Sequence, residues 1–322
     1  MRVLTGVQPS GTAHLGNLFG AMLPAIEISQ KNSAIIFIAD LHALTTFSSG
    51  EEIKKNTINL AADLLALGLD PEKTIFFRQS QVPQHLELAW ILANFAPSGL
   101  LKRSHSYKDK ISHGISPSMG LFFYPILMAA DILLYAPDVV PVGKDQKQHL
   151  EIARDITDKF NQFFGQEILK LPQPQIAKDL GVVPGIDGQK MSKSYGNTIE
   201  IFGDSKNLRK KIFAIKTDSA EISAKKDPEK NIIFQIFKLF GNKQEIENLA
   251  EKFRAGGLGY GEAKKILWEK AEQFLSPLRK KREKIIQNPE KILETLRTGE
   301  SQAKKIAEKL MTKIRKKMGI LN

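Results

Sequence analysis

A chain of 322 residues in which 42% are hydrophobic and 25% charged can bury a substantial core, as one large domain or two smaller ones. It has no cysteine, which excludes disulfides and the common cysteine zinc sites, and its six histidines are scattered without convincing metal spacing. The net charge of +12 suggests a polyanionic partner, and the start Met1-Arg2-Val3-Leu4-Thr5-Gly6 lacks signal-peptide form, so the cytoplasm is the expected compartment.

Residues 1–180 alternate strand-like and helical patterns. Strands are expected at Val3–Val7, Ala34–Asp40, Thr74–Gln79 and Asp138–Val142, and helices near 14–30, 51–67, 84–95, 118–135 and 145–164. That alternation predicts a parallel sheet covered by helices, with ligands at the carboxyl ends of the strands. The first strand leads into Gly6-Val7-Gln8-Pro9-Ser10-Gly11-Thr12-Ala13-His14-Leu15-Gly16-Asn17, a tight turn and helix start. Its small residues let a nucleotide approach the backbone, and helix-terminal N–H groups favour phosphate. The order is neither a Walker loop nor a dinucleotide turn. Further on, Leu121–Tyr135 is apolar except for Asp131 and too short and interrupted to span a membrane. A carboxylate there must be exposed, paired, or waiting for a ligand donor. Pro125 should kink or break the helix.

Lys190-Met191-Ser192-Lys193-Ser194 lies between Val183-Pro184-Gly185-Ile186-Asp187-Gly188 and Tyr195-Gly196-Asn197. Two lysines and small hydroxyl residues on a glycine-flanked loop suit a clamp on a polyphosphate; the plain alternative is an exposed basic loop. Beyond residue 200 the strand pattern fades. Helices are expected at Lys206–Ile215, Ile232–Leu239, Lys243–Phe253, Glu262–Phe274, Ser276–Ile286 and Pro289–Lys317. Gly256–Gly261 has no strand before it and reads as a helix–helix turn. In the last helix Lys305, Lys309, Lys313 and Lys317 run beside the apolar stripe Ile306, Leu310, Ile314 and Met318. With Arg279-Lys280-Lys281-Arg282, this face is a candidate for RNA or simply a solvated surface.

His14-Leu15-Gly16-Asn17 and residues 190–194 together resemble the HIGH and KMSKS signatures of class I aminoacyl-tRNA synthetases. The run Tyr124–Tyr135 resembles the YPxLMAADILLY element of bacterial tryptophanyl-tRNA synthetases. The similarity continues through Val140–His149 and Ala39–Ala43 to the terminal helices, covering nearly the whole chain. The resemblance implies an α/β fold: a Rossmann-like parallel-sheet nucleotide-binding domain (1–187), the KMSKS loop with a helical tRNA-binding domain (188–290), and a C-terminal helix (291–322) packing back on the sheet. The exit Tyr195-Gly196-Asn197 departs from the common Asp-Pro-Asn, and Lys144 stands where an acidic residue is frequent.

By that resemblance ATP binds over the first strand–helix turn. Gln8, Pro9 and Ser10 line its approach, and Gly16 and Asn17 meet it at the helix start. Gly143, Lys144 and Asp145 form the ribose side, Val183 meets the adenine, and Met191, Ser192 and Ser194 close with the loop. Lys110, Lys190 and Lys193 hold the phosphates together with Mg²⁺, which has no protein ligands of its own. Asp131 reads an indole N–H, Tyr124 and Gln146 hold the α-ammonium, and His42 lies near the carboxylate. Leu4, Val7, Met128, Ile132, Val140 and Val142 supply apolar walls. His85, His113 and His149 are expected to be structural or solvated.

The implied partners are L-tryptophan and tRNA(Trp), with a homodimer binding one tRNA across both subunits and neither DNA nor membrane. The implied chemistry is in-line attack of the amino-acid carboxylate on the α-phosphorus, loss of pyrophosphate, and transfer to a tRNA ribose hydroxyl; positioning and charge stabilisation drive it. The alternatives are a tyrosyl enzyme of the same fold, a small-molecule nucleotidyltransferase, and a non-catalytic RNA-binding paralogue. The last would be expected to lack the loop lysines or Asp131, and this chain has both.

Overall fold

The computed structural model describes residues 1–46, 49–102, 118–142, 147–171, 173–176 and 182–320. Lys110, His113, Gly143, Lys144, Asp145, Gln146 and the side chain of Val142 lie outside the described residues.

Five parallel strands form one sheet: β1 (Arg2–Val7), β2 (Ser33–Ile38), β3 (Thr74–Arg78), β4 (Val139–Val142) and β5 (Gln173–Ile176), in the order β3-β2-β1-β4-β5. The order reverses direction at β1, so a crevice opens between β1 and β4 at their carboxyl ends, where open α/β sheets bind ligands. The fifth strand escaped the sequence reading because Gln173-Pro174-Gln175-Ile176 has no apolar alternation. It lies at the sheet edge, where a proline is tolerated. Two strands end sooner than expected. Asp40 opens a helix, and Gln79 opens a 3₁₀ turn.

The connecting helices are α1 (Leu15–Asn17), α2 (Leu23–Lys31), α3 (Asp40–Ala43), α4 (Gly50–Leu67), α5 (Gln84–Ala93), α6 (Ser98–Lys102), α7 (Met119–Leu133) and α8 (Lys147–Phe164). A π-helical turn, Leu18–Met22, joins α1 to α2. The helical region comprises α9 (Ser205–Phe213), α10 (Ile232–Phe237), α11 (Lys243–Ala255), α12 (Tyr260–Ile286) and α13 (Pro289–Lys317). Gly256–Gly259 is the turn between α11 and α12.

Two prolines do not act as their local chemistry predicts. Pro125 sits inside an unbroken α7, and Pro277 sits inside α12, which replaces the two helices expected at 262–274 and 276–286. A proline in a helix interior costs about 3 kcal/mol. In α12 the buried positions Leu267, Ala271, Leu275 and Arg279 follow one four-residue ridge across Pro277, and breaking the helix would expose that ridge. Pro125 is itself buried among Leu121, Ile126 and Ala129.

The period of two along β2 divides the core. Ile36 and Ile38 face Leu15, Leu18, Met22, Leu60 and Leu64, and that cluster runs on into Ile233, Phe237, Phe253 and Leu267 of the helical region. Ile35 and Phe37 face the other way with Leu4, Leu88, Leu127 and Ile132. One apolar cluster therefore runs from the sheet into the helical region. The last helix crosses β3. Its Ile292 and Leu296 join the first cluster, and Ala303, Ala307, Met311 and Ile314 join the second. The deepest seam is thus 303-307-311-314; Ile306, Leu310 and Met318 of the expected stripe flank it half-buried. At the crossing a Cβ on Gly299 would lie 2.0 Å from the Phe76 carbonyl oxygen, so only glycine allows this approach. Arg78 Nε donates to Glu300 at 2.7 Å, and Arg315 grips Glu87 of α5 through two bonds of 2.6 and 2.7 Å.

Candidate active site

The first signature forms a capping box. His14 Nδ1 accepts from the Asn17 amide at 3.4 Å, and Asn17 Oδ1 accepts from the His14 amide at 3.2 Å. An accepting Nδ1 requires a neutral ring, and burial together with the nearby Lys193 charge lowers the His14 pKa to about 4. Leu15 donates to the Ile199 carbonyl at 3.0 Å and Ile201 to the Ala13 carbonyl at 3.1 Å, so the first turn is stitched to the exit of the lysine loop. Met191 is buried against this junction, with its Cβ 3.6 Å from where a Cβ on Gly16 would stand.

Asn197 organises the loop. Its Oδ1 accepts from the Ser192 amide at 2.8 Å; its Nδ2 donates to Asp187 Oδ1 at 2.8 Å and to the Lys190 carbonyl at 3.1 Å. The asparagine is 2% exposed, and a Cβ on Gly185 would stand 2.3 Å from its amide. Val183, buried, accepts from the Met191 amide at 2.9 Å. Lys190, Lys193 and Ser194 are exposed, and Ser192 and Ser194 hydroxyls are 3.2 Å apart. Lys193 reaches across to donate to the Ser10 carbonyl at 2.5 Å. Partial desolvation lowers its pKa, and the charges of Asp63 and Glu200 oppose that shift.

Beside this turn a cavity of about 430 Å³ opens at the carboxyl ends of β1 and β4, a size suited to a small ligand. Gln8 and Leu4 line it from the first strand and turn, and Phe37 and Ala39 from β2. Tyr124, Met128, Asp131 and Ile132 come from α7, spaced i, i+4, i+7 and i+8 on one helix face. Val140 and Pro141 of β4 close the far wall, and His42 and His149 complete it. Tyr124 Oη lies 3.3 Å from His149 Nε2, and the Tyr124 and His42 rings meet edge to face at 6.5 Å. His149, expected to be structural, is both buried and part of the cavity wall.

Asp131 is 2% exposed and fully engaged on its inner side. Its Oδ1 accepts from Gln79 Nε2 at 2.7 Å and from His85 Nδ1 at 2.6 Å, while Oδ2 lies 2.8 Å from His42 Nε2. Burial alone would raise its pKa, but the bonds and charges of His42 and His85 prevail and hold it at about 2. A carboxylate offers about four acceptor positions. Three are taken, which by count leaves one on Oδ2, and Asp131 is among the residues that line the cavity.

Most expected wall residues converge, with one correction. Val7 packs on the opposite face of the sheet, with Ile36 and Ile38, because it is three residues from Leu4 and a strand alternates every residue. Pro9 is buried and Ser10 exposed at the turn. The sequence reading missed Gln79 and Asn197 and left His85 as merely structural or solvated. A polar residue directly after a buried strand, at its carboxyl end, was the available signal for Gln79. Arg279 and Arg282 are taken up inside the protein: Arg279 is buried against Glu272, and Arg282 binds Asp63 and Asn59 of α4. Among the described residues no group of three or more His, Cys, Asp or Glu is placed to hold a metal, and no helix is long and apolar enough to cross a membrane.

The sequence model of the family described as tRNA synthetases class I (W and Y) matches residues 1–276. A tryptophan–tRNA ligase of Fusobacterium nucleatum is 48% identical, over 99% of this chain and 98% of its own length. The crystal structure of tryptophanyl-tRNA synthetase from Campylobacter jejuni, complexed with ADP and tryptophan, is 47% identical with a TM-score of 0.92, covering 99% of this chain and 100% of that one. The enzyme from Mycoplasma pneumoniae is 31% identical with a TM-score of 0.83, over 99% and 97%. With the strand order, the braced lysine loop and the carboxylate-based cavity already in place, these matches mean that the chain belongs to the class I tRNA synthetases of the tryptophan and tyrosine type.

Proposed function

We propose that the chain is a tryptophan–tRNA ligase, which activates L-tryptophan with ATP and transfers it to the 3′ end of tRNA(Trp). One observation carries the amino-acid assignment. A buried, ionised carboxylate, Asp131, stands in an apolar cavity with a single acceptor position open. An indole N–H supplies the donor that position lacks, and Leu4, Phe37, Met128, Ile132 and Val140 suit the ring. Tyr124 and His42 flank the same cavity, in keeping with roles at the ammonium and carboxylate. The Campylobacter jejuni relative was crystallised with ADP and tryptophan, which supports the same pair of ligands here.

In this reading ATP lies over Gln8–Asn17 with the 190–194 loop above it. The amino-acid carboxylate attacks the α-phosphorus in line as pyrophosphate departs. Lys190, Lys193 and the amides at the start of α1 stabilise the developing charge, which is where differential binding of the transition state arises. Lys193 would exchange the Ser10 carbonyl for a phosphate oxygen. Magnesium would arrive on the nucleotide and would neutralise polyphosphate charge. Lys110, Gly143, Lys144, Asp145, Gln146 and Val142 keep the roles that the resemblance implies.

The same reading includes a cytoplasmic homodimer. Trp90 and Phe163 are 70% and 73% exposed, and Phe163 joins Phe95, just beyond α5, at 5.5 Å between ring centroids. Exposed aromatic side chains of this kind are in keeping with a subunit interface. The basic face of α13 is assigned to tRNA, with residues 1–187 activating tryptophan and 188–290 carrying the loop and contributing to RNA binding. ATP–pyrophosphate exchange with each of the twenty amino acids tests the core assignment. Exchange with tryptophan alone is expected, whereas exchange driven by tyrosine, or by none, would overturn it.

A further inference from the structure

The group behind Asp131 is as ordered as the cavity in front of it. His85, in the first turn of α5, and Tyr135, just beyond α7, are both 0% exposed. His85 Nδ1 lies 2.6 Å from Asp131 Oδ1 and Nε2 lies 2.7 Å from Tyr135 Oη. The rings of Phe37, Phe77 and Tyr135 surround the imidazole at centroid distances of 5.8, 6.0 and 5.4 Å. Neither His85 nor Tyr135 lines the cavity. They cannot touch a substrate, yet they meet its proposed acceptor through a closed chain of short bonds.

The proton positions follow from chemistry. Burial, and then the Asp131 charge, raise the Tyr135 pKa, so the phenol keeps its proton. Donated to His85 Nε2, that proton leaves the ring in the Nδ1–H tautomer, and the Nδ1–H points at Asp131. Oδ1 then holds two donors, from His85 and Gln79, which fix the carboxylate plane and favour its ionised form. The open position on Oδ2 can take only a donor. A ring N–H satisfies it, whereas a ring sulfur would set lone pair against lone pair.

We infer that His85 is a positioning residue that holds Asp131 as an oriented, acceptor-only carboxylate, that Tyr135 sets the His85 tautomer, and that this buried pair is a determinant of selection for a ring N–H. The inference rests on the tryptophan reading of the cavity. The chain acts through Asp131, so its mark is on discrimination between substrates more than on turnover.

The test compares tryptophan with its isostere in which the ring N–H is replaced by sulfur, by kcat/KM in ATP–pyrophosphate exchange. In His85→Leu the preference for tryptophan should fall on the order of tenfold or more, the effect of losing a hydrogen bond to a charged group. The change should lie in the KM for tryptophan, with the KM for ATP unaltered. His85→Asn keeps a side-chain N–H near the Nδ1 position and should recover much of the preference. A packing role predicts the reverse order, because leucine fills the site better than asparagine. Tyr135→Phe removes one oxygen and should lose part of the preference, and it decides the matter if His85→Leu does not fold. An unchanged preference in Tyr135→Phe and in any folded His85→Leu protein overturns the inference while leaving the tryptophan reading intact. A parent protein that fails to prefer tryptophan over the sulfur isostere overturns both.

Discussion

Replacing Asp131 by alanine should have two separable effects, because the carboxylate faces both the cavity and the protein. On the cavity side one charge-assisted hydrogen bond is lost, worth about 1.5–3 kcal/mol, so kcat/KM for tryptophan should fall on the order of 10- to 100-fold. Phenylalanine has no N–H to lose, so the tryptophan-to-phenylalanine ratio should fall with it. On the protein side Gln79 Nε2 and His85 Nδ1 lose their buried acceptor. At about 1–3 kcal/mol for each stranded donor, the loss is about 2–6 kcal/mol, a large part of a typical folding free energy. The variant should therefore melt well below the parent, and exchange must be measured far under its Tm. Asp131→Asn retains one acceptor oxygen and should be less destabilised. Exchange kinetics with both amino acids, beside thermal melts, resolve the two effects. A lowered Tm with an unchanged tryptophan-to-phenylalanine ratio would refute the recognition role and leave Asp131 purely structural.

Lys190→Ala and Lys193→Ala should each slow adenylate formation much more than they weaken tryptophan binding, since their charges act mainly on departing pyrophosphate; equal losses in stopped-flow turnover and equilibrium binding would remove the clamp role. Burial, and then the Lys193 charge, lower the His14 pKa from 6.5 to about 4, so its contribution to stability is complete above pH 6.5 and is lost as the pH falls towards 4. Asp63, pushed up to about 6 by burial against the pull of Arg282, runs the other way: its contribution is largest at low pH and is lost as the pH rises through 6. The informative quantity is thus the Tm of the parent minus that of His14→Asn, which keeps a capping side chain; it should fall between pH 6.5 and 4, and a constant gap would contradict the assignment. Lys305, Lys309 and Lys313 are exposed along α13, and neutralising all three should weaken tRNA binding and flatten its log–log salt dependence by just under about one unit for each lost duplex phosphate contact, while exchange without tRNA stays at the parent rate. Filter binding that matches the parent in affinity and slope would make that face a solvated one.

What was legible in the sequence was what depends on neighbours along the chain. The tight turn and helix start within Gly6–Asn17 rest on small residues close in sequence, and Asp131 stood out because a carboxylate interrupts an apolar helix. The alternation of strand and helix gave the parallel sheet for the same reason. What was not legible depends on residues far apart. Gln79 and His85 meet Asp131 from 52 and 46 residues away, so nothing local distinguished them from ordinary polar residues. Val7 was expected in the wall by resemblance, although its parity with Leu4 places it on the other face. Pro125 was expected to kink or break its helix by propensity, which its burial within α7 overrides. The Arg279–Arg282 cluster read as a basic surface, and only the packing shows that two of its four charges are spent on Glu272 and Asp63, leaving Lys280 and Lys281 facing water.

The lysine loop is braced by a side chain that composition alone does not single out. Glycines on both sides of residues 190–194 invite the idea of hinges. In the structure Gly185 is instead the space that admits the Asn197 amide, and Asn197 ties the loop to itself at three points. The Ile186 carbonyl accepts from the Lys216 amide at 2.7 Å, which fastens the loop base to the chain just beyond α9. Ile199 and Ile201 fasten its exit to the first turn. The backbone is thus braced on two sides, Met191 is its buried anchor, and the lysine side chains project from it. In the proposed clamp role, Lys193 would leave the Ser10 carbonyl to meet a phosphate. In the exit Tyr195-Gly196-Asn197 the Asn197 side chain braces the loop, and Gly196 supplies the left-handed turn (φ 64°) from which its amide donates to the Lys193 carbonyl at 3.0 Å.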